Sequence, residues 1–110
     1  DITIYGDGSQ TRSFSFVDDT VNGIIALMES NQNDVFNIGN PNEITINELA
    51  STIIDLTNSN SKLINKNLPQ DDPKHRRPDV TKAKTLLNWE PVVKLEDGLT
   101  QTIDWVNSQL

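Results

Sequence analysis

Guanidinium groups are the sharpest chemical signal in this sequence. The chain has three arginines, Arg12, Arg76 and Arg77, and all of them fall in segments that read as loops. A guanidinium fork matches phosphate oxygens bidentately. If the two loops converge, Arg12 with Arg76 or Arg77 would clamp a diphosphate, and Gln10 could add a hydrogen bond. A plainer reading pairs Arg12 with Asp18 or Asp19. It leaves Lys74 to Arg77 as a solvated run beside Asp71-Asp72.

The other candidate groups point to no reaction. His75 is the single histidine and there is no cysteine, so a metal would have only carboxylates as further ligands, and no metal site is expected. Asp71-Asp72 stand directly before Pro73 and read as a solvated turn. Gly6-x-Gly8 lacks a following helix at the required offset and is not a dinucleotide fingerprint. No Ser-His-Asp set can be built. Trp89 reads as a packing anchor at a helix end, and Trp105 as core or rim of the last helix. The residues alone therefore show a candidate anion clamp and no catalytic engine.

The elements that must position this clamp follow from pattern. Ile2 and Ile4 alternate with Thr3 and Tyr5, which predicts a strand over residues 2–5. Gly6-Asp7-Gly8-Ser9 is a turn. A second short strand is expected at 13–17, with Asp18 as N-cap of a helix running to about Ser30. Val21, Ile24, Ile25 and Met28 have the spacing of one buried face. Gly23 within that helix implies close packing against a neighbour. Residues 35–38 read as a strand. Thr45 with Glu48 three residues later is a capping box for a helix through Thr57. A brief strand is expected at 62–66. Three prolines make 67–78 irregular. Asp79 caps a short helix at 80–87, and a last helix spans about 95–109, with Leu95, Leu99, Thr102, Ile103, Val106 and Leu110 on one face.

At 110 residues the chain is one domain. Its net charge of -7 argues against nucleic acid and against an anionic membrane surface. No apolar run approaches the roughly 20 residues of a membrane span. The lack of cysteine fits a cytoplasmic protein. The chain begins inside a strand-like pattern without methionine, which reads as the start of a fragment.

Taken together, these segments resemble the extended short-chain dehydrogenase/reductase family that acts on nucleotide sugars. The resemblance rests on Tyr5-Gly-Asp-Gly-Ser-Gln-Thr-Arg-Ser-Phe-x-x-Val-Asp-Asp and on Asn37-Ile-Gly-Asn-Pro-Asn-Glu-Ile-Thr-Ile-x-Glu-Leu-Ala. It continues in Asp71-Asp-Pro-Lys-His-Arg-Arg-Pro-Asp-Val-Thr-Lys-Ala-Lys, in Leu87-Asn-Trp-Glu-Pro and in Leu95-Glu-Asp-Gly-Leu. The wording is more similar to the UDP-glucuronate decarboxylases (UDP-xylose synthases) than to the 4-epimerases or the dTDP-glucose 4,6-dehydratases.

The resemblance implies an α/β, α+β-like C-terminal substrate-binding part, about four helices with a few short strands, as a single domain over 1–110. The Rossmann half is missing. The parent would be a carboxy-lyase that converts UDP-glucuronate to UDP-xylose and CO2 through a 4-keto intermediate. Its NAD would be held by an N-terminal Rossmann domain carrying a Tyr-x-x-x-Lys pair. Here the one tyrosine, Tyr5, is followed by Ser9 at that offset, so no catalytic residue is expected and the fragment alone should be inactive.

By resemblance, Tyr5, Gly6, Ser9, Gln10 and Arg12 lie along the uridine and ribose. Arg76 is the second diphosphate arginine, or Arg77 if the register differs by one, and Asp79 is a ribose or arginine-orienting partner. The partners implied are the UDP-sugar, the parent's own Rossmann domain and a second copy in a homodimer. A Golgi-lumenal parent stays open beside a cytoplasmic one. Two other readings also stay open: the same portion of another epimerase or 4,6-dehydratase, and a non-catalytic nucleotide-binding or interaction module.

Overall fold

The computed structural model describes residues 1–71 and 73–110. Within them the chain folds as β1 (Ile2–Tyr5), β2 (Thr11–Ser13), α1 (Val17–Met28), β3 (Glu43–Thr45), α2 (Ile46–Thr57), β4 (Leu63–Lys66), α3 (Thr81–Leu87) and α4 (Leu95–Gln109). This is a mixed α/β arrangement with two small sheets among the described residues. β1 pairs parallel with β4, Ile2 opposite Leu63 and Tyr5 opposite Lys66. β2 pairs antiparallel with β3, Thr11 opposite Thr45, Arg12 opposite Ile44 and Ser13 opposite Glu43. Ile4 alone on β1 is fully buried, as expected of a strand with one face inward.

Local chemistry accounts for the helix ends. Thr45 caps α2, its hydroxyl accepting from the Glu48 amide at 3.1 Å. Asn58 and Asn88 adopt left-handed φ of 50° and 52° and end α2 and α3, a role asparagine tolerates among residues with a Cβ. Asp79 is not the cap of α3: the helix begins at Thr81 with Val80 as N-cap and no side-chain cap, and the Asp79 carboxylate, one residue before the cap, closes a turn onto the Thr81 amide at 3.0 Å. α1 begins at Val17 with Phe16 before it and no side-chain cap. Asp18 is not its cap, because it lies inside the first turn, where its charge still favours the positive helix end.

The inward face of α1 is not the apolar stripe. Val21, Ile24, Ile25 and Met28 are 44, 49, 43 and 77% exposed. Asp19 and Gly23 are the buried residues of this helix, with Ala26 half-buried against the core. A β-carbon on Gly23 would lie 2.6 Å from Ile38 and 3.1 Å from Trp89, so the helix docks through its smallest residue and leaves the large side chains outside. The core is Val80, Ala83 and Trp89, with Ala26, Phe36, Ile38 and Leu87 packed on it.

Three further expectations change. Residues 35–38 form no strand. Among the described residues no neighbouring strand offers them a ladder, and Phe36 and Ile38 turn to the core instead. The second strand is Thr11–Ser13 and ends before 14–17, because its partner β3 is only three residues long. Trp105 is 64% exposed, and on the same helix Val106 and Leu110 are also outside. Leu95, Leu99 and Ile103 are the half-buried part of that face.

Candidate functional site

The two arginine loops converge. Arg12, Ser13, Arg76 and Arg77 line one open cleft of about 450 Å³, with Phe36, Asn37, Ile38 and Pro78 completing its wall. β2 is the element that makes this possible. The Thr11 amide donates to the Lys74 carbonyl at 2.6 Å. The Thr11 hydroxyl lies 2.8 Å from His75 Nδ1, and the Ser13 hydroxyl donates to the Arg76 carbonyl at 3.4 Å. Residues 74–76 therefore run beside β2 on the side away from β3, and the loop that pattern marks as irregular is fastened where its arginines are needed.

Arg12 is half-buried and Arg76 and Arg77 are exposed. The Arg12 guanidinium donates to the Thr11 carbonyl at 2.7 Å, a bond within β2 that turns the side chain back along its own strand. The plainer pairing with Asp19 is not found, because that carboxylate is buried elsewhere and accepts from the Val92 and Val93 amides at 3.1 and 3.0 Å. Asp72 lies outside the described residues, so the acidic pair Asp71-Asp72 is not placed as a pair.

The remaining expected contacts are not in this cleft. Gln10 is 7% exposed and its side-chain amide donates to the Tyr5 carbonyl at 2.8 Å. That bond clasps the turn from inside. Ser9 gives both its amide and its hydroxyl to Asp7 Oδ1, at 2.9 and 2.6 Å. Those two bonds hold the Asp7 carboxyl below its ordinary value of 3.8. Gly6 lines a separate hollow with Asn65, Lys66 and Leu68, and Tyr5 is half exposed on β1. Asp79 sits next to the cleft and shares Asn37 with it, through the bond from the Asn37 amide to the Asp79 carbonyl at 3.3 Å. Its carboxyl is lowered by the Thr81 hydroxyl and amide first, with the Arg77 charge adding to them.

Several site residues escape sequence reasoning. Thr11 and Glu43 anchor the arginine loop, and Asn47 docks the glycine turn. The Asn47 side chain donates to the Asp7 carbonyl at 2.8 Å, and its amide donates to Gly8 O at 3.1 Å. Gly8 has φ +78°, and a β-carbon there would overlap the Asn47 side chain. A polar residue two positions into a capped helix was the available signal for Asn47. A hollow of about 310 Å³ lies beside Phe14, Phe16, Leu95 and Leu99. It holds no arginine, and its one cation is Lys94, so it is not an anion clamp.

The Gly6–Gly8 turn does not fit the pyrophosphate of NAD. It leads into β2 and not into a helix whose amides could take a pyrophosphate.

Fold and site together define an extended short-chain dehydrogenase/reductase fold of the epimerase/dehydratase type, in the part this chain covers. A family model described as GDP-mannose 4,6 dehydratase matches residues 1–102, and the chain belongs to this family. UDP-glucuronic acid decarboxylase 1 of Danio rerio is 51% identical over 109 residues, 99% of this chain and 26% of the relative. UDP-glucuronic acid decarboxylase 4 of Arabidopsis thaliana is 50% identical over 98 residues, 89% of this chain and 22% of the relative. The chain thus spans about a quarter of the length of the curated relatives it matches. Among solved structures, UDP-glucose 4-epimerase of Thermotoga maritima with UDP-glucose superposes with a TM-score of 0.93 at 35% identity. UDP-glucuronic acid 4-epimerase of Bacillus cereus, in complex with UDP-glucuronic acid and NAD, superposes with a TM-score of 0.90 at 32% identity. These cover 99% and 98% of this chain and 35% of each epimerase.

Proposed function

We propose that this chain is the UDP-sugar-binding portion of an NAD-dependent UDP-glucuronate decarboxylase, and that the cleft between β2 and residues 74–78 takes the diphosphate. The observation that carries the proposal is the arrival of Arg12, Arg76 and Arg77 at one cleft from segments more than sixty residues apart. Guanidinium forks brought to one cleft match the oxygens of a diphosphate. The choice of decarboxylase over epimerase rests on identity, about half of positions against about a third.

In this reading the arginines neutralise the diphosphate and fix the register of the sugar. The chemistry at the sugar falls to residues outside this chain, as does the cofactor, in a Rossmann domain that packs against the exposed face of α1. The chain alone is then inactive toward UDP-glucuronate, even with NAD added.

Calorimetric titration with UDP tests the clamp. The chain binds UDP weakly, and Arg12→Ala and Arg76→Ala each weaken it by about 10- to 100-fold, the size of a lost charge-assisted hydrogen bond. Equal heats for all three proteins would remove the clamp, and turnover of UDP-glucuronate by the chain alone would contradict the division of labour.

A further inference from the structure

We propose that Glu43, Thr11 and His75 form a hydrogen-bond relay that fixes the single imidazole in one tautomer and holds the arginine segment against β2. His75 is then a positioning residue for anion binding. The second half of this inference rests on the diphosphate reading of the cleft; the first half does not. The Thr11 hydroxyl donates to Glu43 Oε1 at 3.1 Å and lies 2.8 Å from His75 Nδ1. A hydroxyl has one proton. An ionised carboxylate can only accept, so the Thr11 proton goes to Glu43, and the oxygen lone pair faces His75. Nδ1 must then carry the hydrogen, and in the neutral ring Nε2 is the bare nitrogen.

Which ring nitrogen is protonated is set by the bond the ring makes, and here that bond ends on a carboxylate one strand away. Thr11 and Glu43 share a face of the β2–β3 ladder, two registers apart diagonally. The relay therefore ties three elements together: β3, β2 and the loop that carries Arg76 and Arg77. Those two arginines are exposed and stand in a segment with three prolines, whose described residues form no helix or strand. Backbone contacts hold that segment at Lys74 O and Arg76 O only through Thr11 and Ser13 among the bonds described. A side-chain anchor at the residue between them reduces the ordering that ligand binding would otherwise demand. His75 does not line the arginine cleft, which makes it a positioning residue and not a ligand contact.

The test uses the chain labelled with ¹⁵N, in which one histidine gives one imidazole signal set. Long-range ¹H–¹⁵N correlation at about pH 8, above the ordinary imidazole range, should show the Nδ1–H tautomer. Thr11→Val should return the ring to the Nε2–H form that unconstrained histidine prefers, and Thr11→Ser should restore Nδ1–H. In UDP titrations, Thr11→Val and His75→Ala should raise Kd by about three- to tenfold through lost pre-organisation, with Thr11→Ser close to wild type. An Nε2–H tautomer in the wild-type chain overturns the relay. Unchanged UDP affinity in His75→Ala, where Arg12→Ala loses binding, overturns the positioning role. If Arg12→Ala also binds UDP normally, the diphosphate reading fails and the positioning role with it, while the tautomer still decides the relay.

Discussion

Asp19 is 2% exposed, and its carboxylate joins the start of α1 to the segment that follows α3. It accepts from two consecutive backbone amides, Val92 and Val93, while its carbonyl accepts from Trp89 Nε1 at 3.1 Å. Truncation to alanine leaves two partly buried amides without acceptors, which costs about 1–3 kcal/mol. Asn keeps one acceptor and should lose less. Urea unfolding followed by tryptophan fluorescence checks the order wild type, Asp19→Asn, Asp19→Ala; equal midpoints would contradict it. The surface carboxylates act differently. Asp7, Asp34 and Asp79 are all held below their ordinary value of 3.8 by local bonds, to Ser9, to Lys82 and to Thr81 respectively. A carboxyl lowered in the folded state contributes stability that is complete above its unfolded value and disappears as pH falls through its folded one. The chain should therefore lose stability below about pH 4, and the triple variant Asp7→Asn, Asp34→Asn, Asp79→Asn should show a flatter profile there. At this scale the arginines stood out because charge type alone marks them in an acidic chain, and their loops do converge. The bonds of Ser9 to Asp7 and of Gln10 to the Tyr5 carbonyl were not legible, because a polar side chain can meet a ligand or its own turn, and sequence does not choose between them.

Among the elements, Gly23 in α1 sets two effects against each other. Alanine gains about 1 kcal/mol of helix propensity. Its β-carbon would meet Ile38 at 2.6 Å and Trp89 at 3.1 Å, and overpacking of this kind costs about 1–3 kcal/mol. Ile38 and Trp89 both belong to the core and have little room to give, so the clash wins and Gly23→Ala is expected to lower the unfolding midpoint. Gly98→Ala on α4 meets only Phe16, at 3.1 Å or more. Phe16 is half-buried and can shift, so this variant should be closer to neutral. A Gly98 variant more damaging than the Gly23 one would reverse this account of α1. The same helix shows where pattern reading stops. The capping box of α2 and the span of α4 are local and were readable from Thr45, Glu48 and the spacing of Leu95, Leu99 and Ile103. The stripe Val21, Ile24, Ile25, Met28 was equally clear, yet periodicity reports an apolar face and not what covers it. β3 was invisible because three residues are too few for a period of two, and Arg12 owes its place to that strand.

The molecule as a whole exposes more surface than its mass requires. A folded monomer of this mass exposes roughly 6,100 Å², whereas the chain exposes 7915 Å². Its radius of gyration of 16.3 Å likewise exceeds the roughly 13 Å of a compact domain of this length. The excess of roughly 1,800 Å² is larger than one partner's share of a standard protein interface. Exposed large apolar side chains occur along much of the chain, and one run of them, Val17, Val21, Ile24, Ile25 and Met28, lies along α1. A patch of this kind marks a contact surface. On the proposed function it is covered by the Rossmann domain. Alone in solution it should cover itself, so the chain is expected to self-associate in sedimentation velocity as concentration rises. Ile24→Glu with Met28→Glu should shift it to monomer while the helical circular dichroism persists, because both side chains point away from the core that Gly23 and Ala26 build. A wild-type chain that stays monomeric at every concentration would mean that this face is not adhesive, and the argument that it awaits a partner would lose its support.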